Sequence, residues 1–151
     1  MDKNALEAFA RDAAKSIKTE SDLDEFRKML TKVTIETALN AELDVHLGYD
    51  KHASKPSTNA RNGYSSKSII TDDGHVPIDV PRDREASFVP QLVRKHQTRC
   101  QSMDDKILRL YAKGMTTREI IATFKEMYEA DVSSTLVSKV TDAVLEQVIE
   151  L

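Results

Sequence analysis

Tryptophan is absent, cysteine occurs once, and the 151 residues include only four glycines, four prolines and 5% aromatics. Each shortage removes a class of answer. A lone Cys100 excludes an intrachain disulfide and is neutral about compartment. There is no P-loop and no Gly-rich nucleotide fingerprint. The longest apolar runs are a few residues, far short of the roughly 20 that cross a bilayer. The opening MDKNALEAFARD has no signal-peptide layout, so the sequence predicts a cytoplasmic protein without a membrane partner. What remains, 40% hydrophobic and 31% charged residues, is a soluble globular composition, enough for one compact domain or two or three small modules.

The formal net charge of -3 hides an uneven distribution. Residues 1–50 carry 7 basic and 11 acidic residues, residues 51–99 carry 9 and 5, and residues 100–151 carry 6 and 9. The middle third is therefore net +4 between two acidic flanks. A partner within a Debye length of roughly 8 Å feels such a patch rather than the sum, so the segment can attract a polyanion.

Hydrophobic spacing divides the chain into three parts: an N-terminal helical segment (1–48), a basic β-hairpin module with a connector (49–100) and a C-terminal three-helix bundle (101–151). The expected class is mainly α with a small central β-hairpin, α+β. In the first part Ser21 and Asp24 form a capping pattern and Gly48 suits a helix stop. Between them Leu23, Phe26, Leu30 and Val33 form a stripe that Ile35, Leu39, Leu43 and Leu47 continue on a shifted face. The simpler reading packs this stripe on an amphipathic helix of Ala5, Leu6, Phe9, Ala13 and Ile17; the other packs it on a second copy. Residues 49–67, with Pro56 and Gly63, read as a loop. SKSIIT and HVPIDV, separated by Asp72, Asp73 and Gly74, then read as a hairpin turned at Asp-Gly, with Pro77 on an edge.

Three helices follow from Met103. The first ends at Gly114, the second opens with a capping box of Thr116 and Glu119, and the third starts at Ser133 and carries Leu136, Val137, Val140, Val144, Leu145 and Val148. The last two have the layout of a helix-turn-helix, residues 116–128 positioning and residues 134–149 recognising. Ser134, Thr135, Ser138 and Lys139 would then face base edges or phosphates. An ordinary bundle with a solvated face fits the same pattern, and Asp142 weakens phosphate attraction there.

Catalytic and metal readings find less. His96 and Cys100 are four apart, with His46 and His52 upstream, but a structural zinc site needs about four ligands in paired spacings. Asp72 and Asp73 belong to a turn, and Asp104 and Asp105 to the first turn of a helix, where negative charge complements the dipole. No catalytic or metal-binding residue is expected.

NARNGYSSKSIITDDGHVPIDVPRDREASFVPQLVRKHQTR, DDKILRLYAKGMTTREIIATFKEMY and VSSTLVSKVTDAVLEQV, with ELDVHLGYDKH at 42–52 and RNGY at 61–64, resemble the N-terminal region of Mutator-type bacterial insertion-sequence transposases. The resemblance covers residues 30–150, in order and with similar spacing. It implies a protein that binds the inverted-repeat ends of a mobile element, double-stranded DNA, in the bacterial cytoplasm at the nucleoid. It also implies an RNase H-like domain further on, whose Asp, Asp, Glu triad holds Mg2+; this chain is expected to be a truncated form without that domain, with no cofactor of its own and inactive alone. Arg61, Lys67, Arg82, Arg84, Arg94, Lys95 and Arg99 would contact phosphates, and the N-terminal helices would join two copies, or this chain to a full-length transposase. The alternative is a non-catalytic DNA-binding regulator or inhibitor of the transposase. A third reading is a decayed fragment that only self-associates.

Overall fold

The computed structural model describes residues 2–51 and 58–149. His52, Pro56 and the side chain of Val148 lie outside them. The order is α1 (Lys3–Ala14), α2 (Glu20–Leu47), β1 (Arg61–Thr71), β2 (Gly74–Asp83), α3 (Gln101–Ala112), α4 (Thr117–Tyr128) and α5 (Ser134–Ile149). Helices with one antiparallel hairpin make the chain a mainly helical α+β protein, as the periodicities predict.

Local chemistry sets the boundaries. The N-cap of α2 is Thr19, not Ser21: Thr19 is extended, its Oγ1 accepts from the Asp22 N–H at 3.0 Å, and the Asp22 carboxylate accepts from the Thr19 N–H at 3.1 Å. Asp24, the expected partner of Ser21, pairs with Arg27 at 2.9 Å instead. Gly48 ends the helix in the left-handed region at φ +81°, where glycine pays no Cβ penalty. Thr116 and Glu119 form the expected capping box of α4, and Ser133 Oγ accepts from the Leu136 N–H at 3.1 Å to start α5.

The hairpin is longer than its apolar runs suggest. RNGYSS pairs as strand, so the loop reading of residues 49–67 fails from Arg61 onward; polar side chains suffice because this end of the strand is exposed. Arg61 opposes Asp83 and Tyr64 opposes Pro81, which leaves one extra residue on β1 as a bulge, with Gly63 at φ +68°. At the other end Thr71 pairs with Gly74, so Asp72 and Asp73 are the turn residues. Neither has a positive φ, while Gly74 lies at +99°. The turn is therefore centred on Asp72 and Asp73 with a positive-φ glycine directly after it, not on Asp-Gly as a mirror-image turn would be. Thr71 Oγ1 holds it by accepting from the Asp73 N–H at 3.1 Å.

Two cores meet at adjacent residues of β1. Ile69 packs with Leu39, Val76, Ile78 and Val93, between the hairpin and α2. Ile70 points the other way, among Met103, Ile107, Ile120, Phe124 and Val137 of the helical bundle. The connector returns to the same place: the Ile70 N–H donates to Thr98 C=O and the Cys100 N–H to Ile70 C=O, both at 2.9 Å.

The N-terminal stripe behaves differently. Among the described residues α1 buries none of its own, and it meets α2 through one aromatic pair, Phe9 and Phe26, with ring centroids 6.1 Å apart. Leu6 and Phe9 stay about half exposed, and Leu23, Leu30 and Val33 are exposed as well. The simpler expectation, burial of the stripe beneath α1, is therefore not met.

Candidate nucleic-acid interface

The seven cations expected at a polyanion divide by whether the fold already uses them. Arg61, at the start of β1, is half-buried and ion-paired with Asp44 of α2. Arg99 is ion-paired with Asp104 in the first turn of α3. Lys67, on β1, is half-buried and its Nζ donates to the Arg94 C=O at 3.1 Å; burial pulls its amine below the ordinary lysine value. Arg82, Arg84, Arg94 and Lys95 are exposed and have no acid partner among the described residues. Charge counting treated all seven alike, yet two are neutralised within the fold.

The connector that follows β2 and carries three of these four cations has little regular structure, so side-chain acceptors must satisfy its backbone. Asp83, at 4% exposure, is the most deeply buried of the carboxylates that do this. Its carboxylate accepts from Asn59 Nδ2 at 2.9 Å, Ser87 Oγ at 2.7 Å, and the N–H groups of Ser87 and Phe88 at 3.1 and 3.2 Å. Burial pushes its pKa up, but these donors outweigh burial and hold it well below the usual carboxylate range. His46 of α2 approaches the same carboxylate at 3.4 Å and Ser87 Oγ at 2.9 Å. Further along, Glu42 of α2 accepts from the N–H groups of Gln91 and Leu92 at 3.1 and 3.2 Å. Asp83 is thus committed to the turn rather than to Arg82 or Arg84, and their charge stays available.

This network folds the connector back across the hairpin and leaves a cleft of about 420 Å³ between them. Lys67, Arg82, Arg84 and Lys95 come together on its lining, with His96. Arg94 lies in a neighbouring depression with Arg99. Sequence reasoning missed Asp83, Asn59, Glu42 and His46 as the residues that shape the site. One signal was readable: Asp83 opens a segment without helical or strand period, and Asp side chains commonly bond nearby backbone N–H groups in turns.

The α5 group is separate. Ser134, Thr135, Ser138 and Lys139 are all exposed, while Val137, Val140 and Thr141 face inward. Asp142 is exposed among them. None of these residues lines the cleft.

Three of the four paired acids are held in ion pairs: Asp72 with Lys106, Asp73 with Arg27 at 3.1 Å, and Asp104 with Arg99. Among the described residues no three His, Cys, Asp or Glu side chains gather as a metal site would require. The divalent ion implied by the resemblance finds no donor set there. No helix among them is long and apolar enough to cross a membrane.

Over residues 2–151 the chain matches the family model described as "Transposase, Mutator family". It is similar to the transposase for insertion sequence element ISRM3 of Rhizobium meliloti (strain 1021), 44% identical over 126 residues, which make up 83% of this chain and 30% of that relative. The transposase for IS905 of Lactococcus lactis subsp. lactis (strain IL1403) is 33% identical over 129 residues, 84% of this chain and 33% of the relative. The transposase for IS256 in transposon Tn4001 of Staphylococcus aureus is 25% identical over 119 residues, 79% and 30% of the two chains. The chain spans about a third of the length of these relatives.

Proposed function

Because the chain belongs to the Mutator family of transposases, we propose that it recognises the terminal inverted repeats of an insertion element as duplex DNA. The observation that carries this reading is the set of four exposed cations without acid partners among the described residues, Arg82 near the end of β2 and Arg84, Arg94 and Lys95 on the connector, which the Asp83 and Glu42 carboxylates hold by hydrogen bonds. Cations already positioned and not internally neutralised can displace counterions from a phosphate backbone without first breaking ion pairs. In this reading α4 and α5 act as a helix-turn-helix. Ser134, Thr135, Ser138 and Lys139 enter the major groove while the connector tracks the backbone.

Two copies would serve the two ends of an element, and a homodimer joined through α1 and the first half of α2 is part of the proposal. Leu6, Phe9, Leu23, Leu30 and Val33 support it, since an apolar stripe this exposed gains by being covered. The same stripe would accept a full-length transposase, and in that pairing the chain would act as an inhibitor. We assign no strand-cutting residue to these positions.

The test is electrophoretic retardation of a terminal-repeat duplex against a scrambled one across a salt series. Preference for the repeat, falling steeply with salt, is the expected result. Equal and weak retention of both at low salt would overturn end recognition and favour a fragment that only self-associates.

A further inference from the structure

The cleft between hairpin and connector is more than a phosphate contact needs. A duplex backbone is met adequately by a flat cationic surface. Here the cations rim a recess whose floor is apolar, formed by Val80, Pro81, Phe88 and Pro90. Pro81 and Pro90 are buried and stiff, and the Phe88 ring is backed by His46 with centroids 5.5 Å apart. Two of the three non-glycine residues with positive φ among those described, Ala86 at +54° and His96 at +70°, both lie on its lining. Residues kept in the left-handed region by their surroundings cluster at ligand clamps, where the shape is fixed in advance. The one carboxylate in the lining, Asp83, is already covered by its four donors.

We propose that this cleft receives a single unpaired DNA nucleotide, its base against the Phe88 and proline floor and its phosphate among Lys67, Arg82, Arg84 and Lys95. The proposal rests on the DNA-binding reading but asks for something different from it: a base out of its stack. A cleft of about 420 Å³ has room for one base with its sugar, and stacking on an apolar or aromatic floor is sequence-tolerant because every base has a π-face. Such a site would distinguish a frayed or nicked DNA end from continuous duplex.

The test uses the full chain and short random-sequence duplexes in three forms: blunt, with one unpaired terminal nucleotide, and with that nucleotide lacking its base. The base-bearing end should bind roughly tenfold more tightly than the abasic end, the value of one stacked base. Substitution of the exposed Ser65, S65L, narrows the mouth from the β1 side and should bring that ratio to one; Phe88→Ala should do the same in a preparation whose unfolding transition is intact. Equal affinity for base-bearing and abasic ends with blunt binding retained overturns the cleft assignment alone. A base preference without any blunt-duplex binding supports the cleft and overturns the duplex reading instead. A preference that survives both substitutions places the nucleotide elsewhere and overturns the cleft.

Discussion

The two halves of α2 are one continuous helix with opposite surroundings. Its C-terminal half buries Leu39, Leu43 and Leu47 and sends Glu36, Glu42, Asp44 and His46 to the hairpin and connector. Its N-terminal half leaves Leu23, Met29, Leu30 and Val33 exposed beside an α1 that covers little. One continuous helix thus gives a structural spine at one end and an exposed apolar face at the other. Whether an apolar residue on a helix contributes to folding depends on what the rest of the chain lays against it.

The contrast is sharpest for side-chain truncation. Leu43→Ala should lower the free energy of unfolding by about 2–5 kcal/mol, because a fully buried leucine leaves a cavity. Val33→Ser, 53% exposed in the single chain, should change that of the monomer by no more than about 0.5 kcal/mol while weakening the proposed dimer. Urea titration of both variants beside analytical ultracentrifugation reads the two effects separately. Strong destabilisation of a monomeric Val33→Ser would erase the distinction between the halves.

A smaller effect tests the spine's grip on the connector. Asp83→Ala strands its donors on Asn59, Ser87 and Phe88 and should cost about 1–3 kcal/mol. The wild-type carboxyl titrates lower when folded than its ordinary value of 3.8. Its contribution is therefore complete above that value and is lost as pH falls below it toward the depressed folded value. Unfolding followed across acid pH should show this loss in the wild type and a flatter acid limb in the variant. Identical limbs would mean that the carboxylate is not what holds the turn.

The smallest effects separate cations of the same charge. Arg61→Ala breaks the half-buried pair with Asp44 and should cost about 1 kcal/mol, the upper end of the surface case. Arg82→Ala breaks no such pair and should leave stability within about 0.5 kcal/mol while lowering the salt slope of DNA binding by about 1. Were Arg82→Ala to alter sequence preference instead, its role on the phosphate backbone would be wrong.

Much of this architecture was legible because it is local. The Thr116–Glu119 box, the stop at Gly48 and the stripe of the bundle helices each follow from residues a few positions apart. Two local signals were degenerate: Thr19-x-x-Asp22 and Ser21-x-x-Asp24 are the same pattern, and only Asp22 accepts from both the Lys18 and Thr19 N–H groups. The interface was half legible. Its positive charge is visible in any count, but Arg61 and Arg99 are neutralised by Asp44 and Asp104, pairings that spacing does not announce as competitors for charge. The shape of the cleft depends on Glu42 reaching Gln91 and Leu92 across 49 and 50 positions of sequence. No periodicity encodes that reach.

The closure at Ile70, where Thr98 and Cys100 bond to both sides of one β1 residue, has a consequence for any stiff partner that spans the molecule. It brings the root of the helical bundle back to the hairpin and makes the intervening connector a closed ring rather than a tether. The span from the cleft to α5 is then a fixed length, like the jaws of a set caliper. A duplex engaged at both would be read with a definite helical phase, so that moving one contact by half a turn of DNA would put it on the wrong side of the double helix.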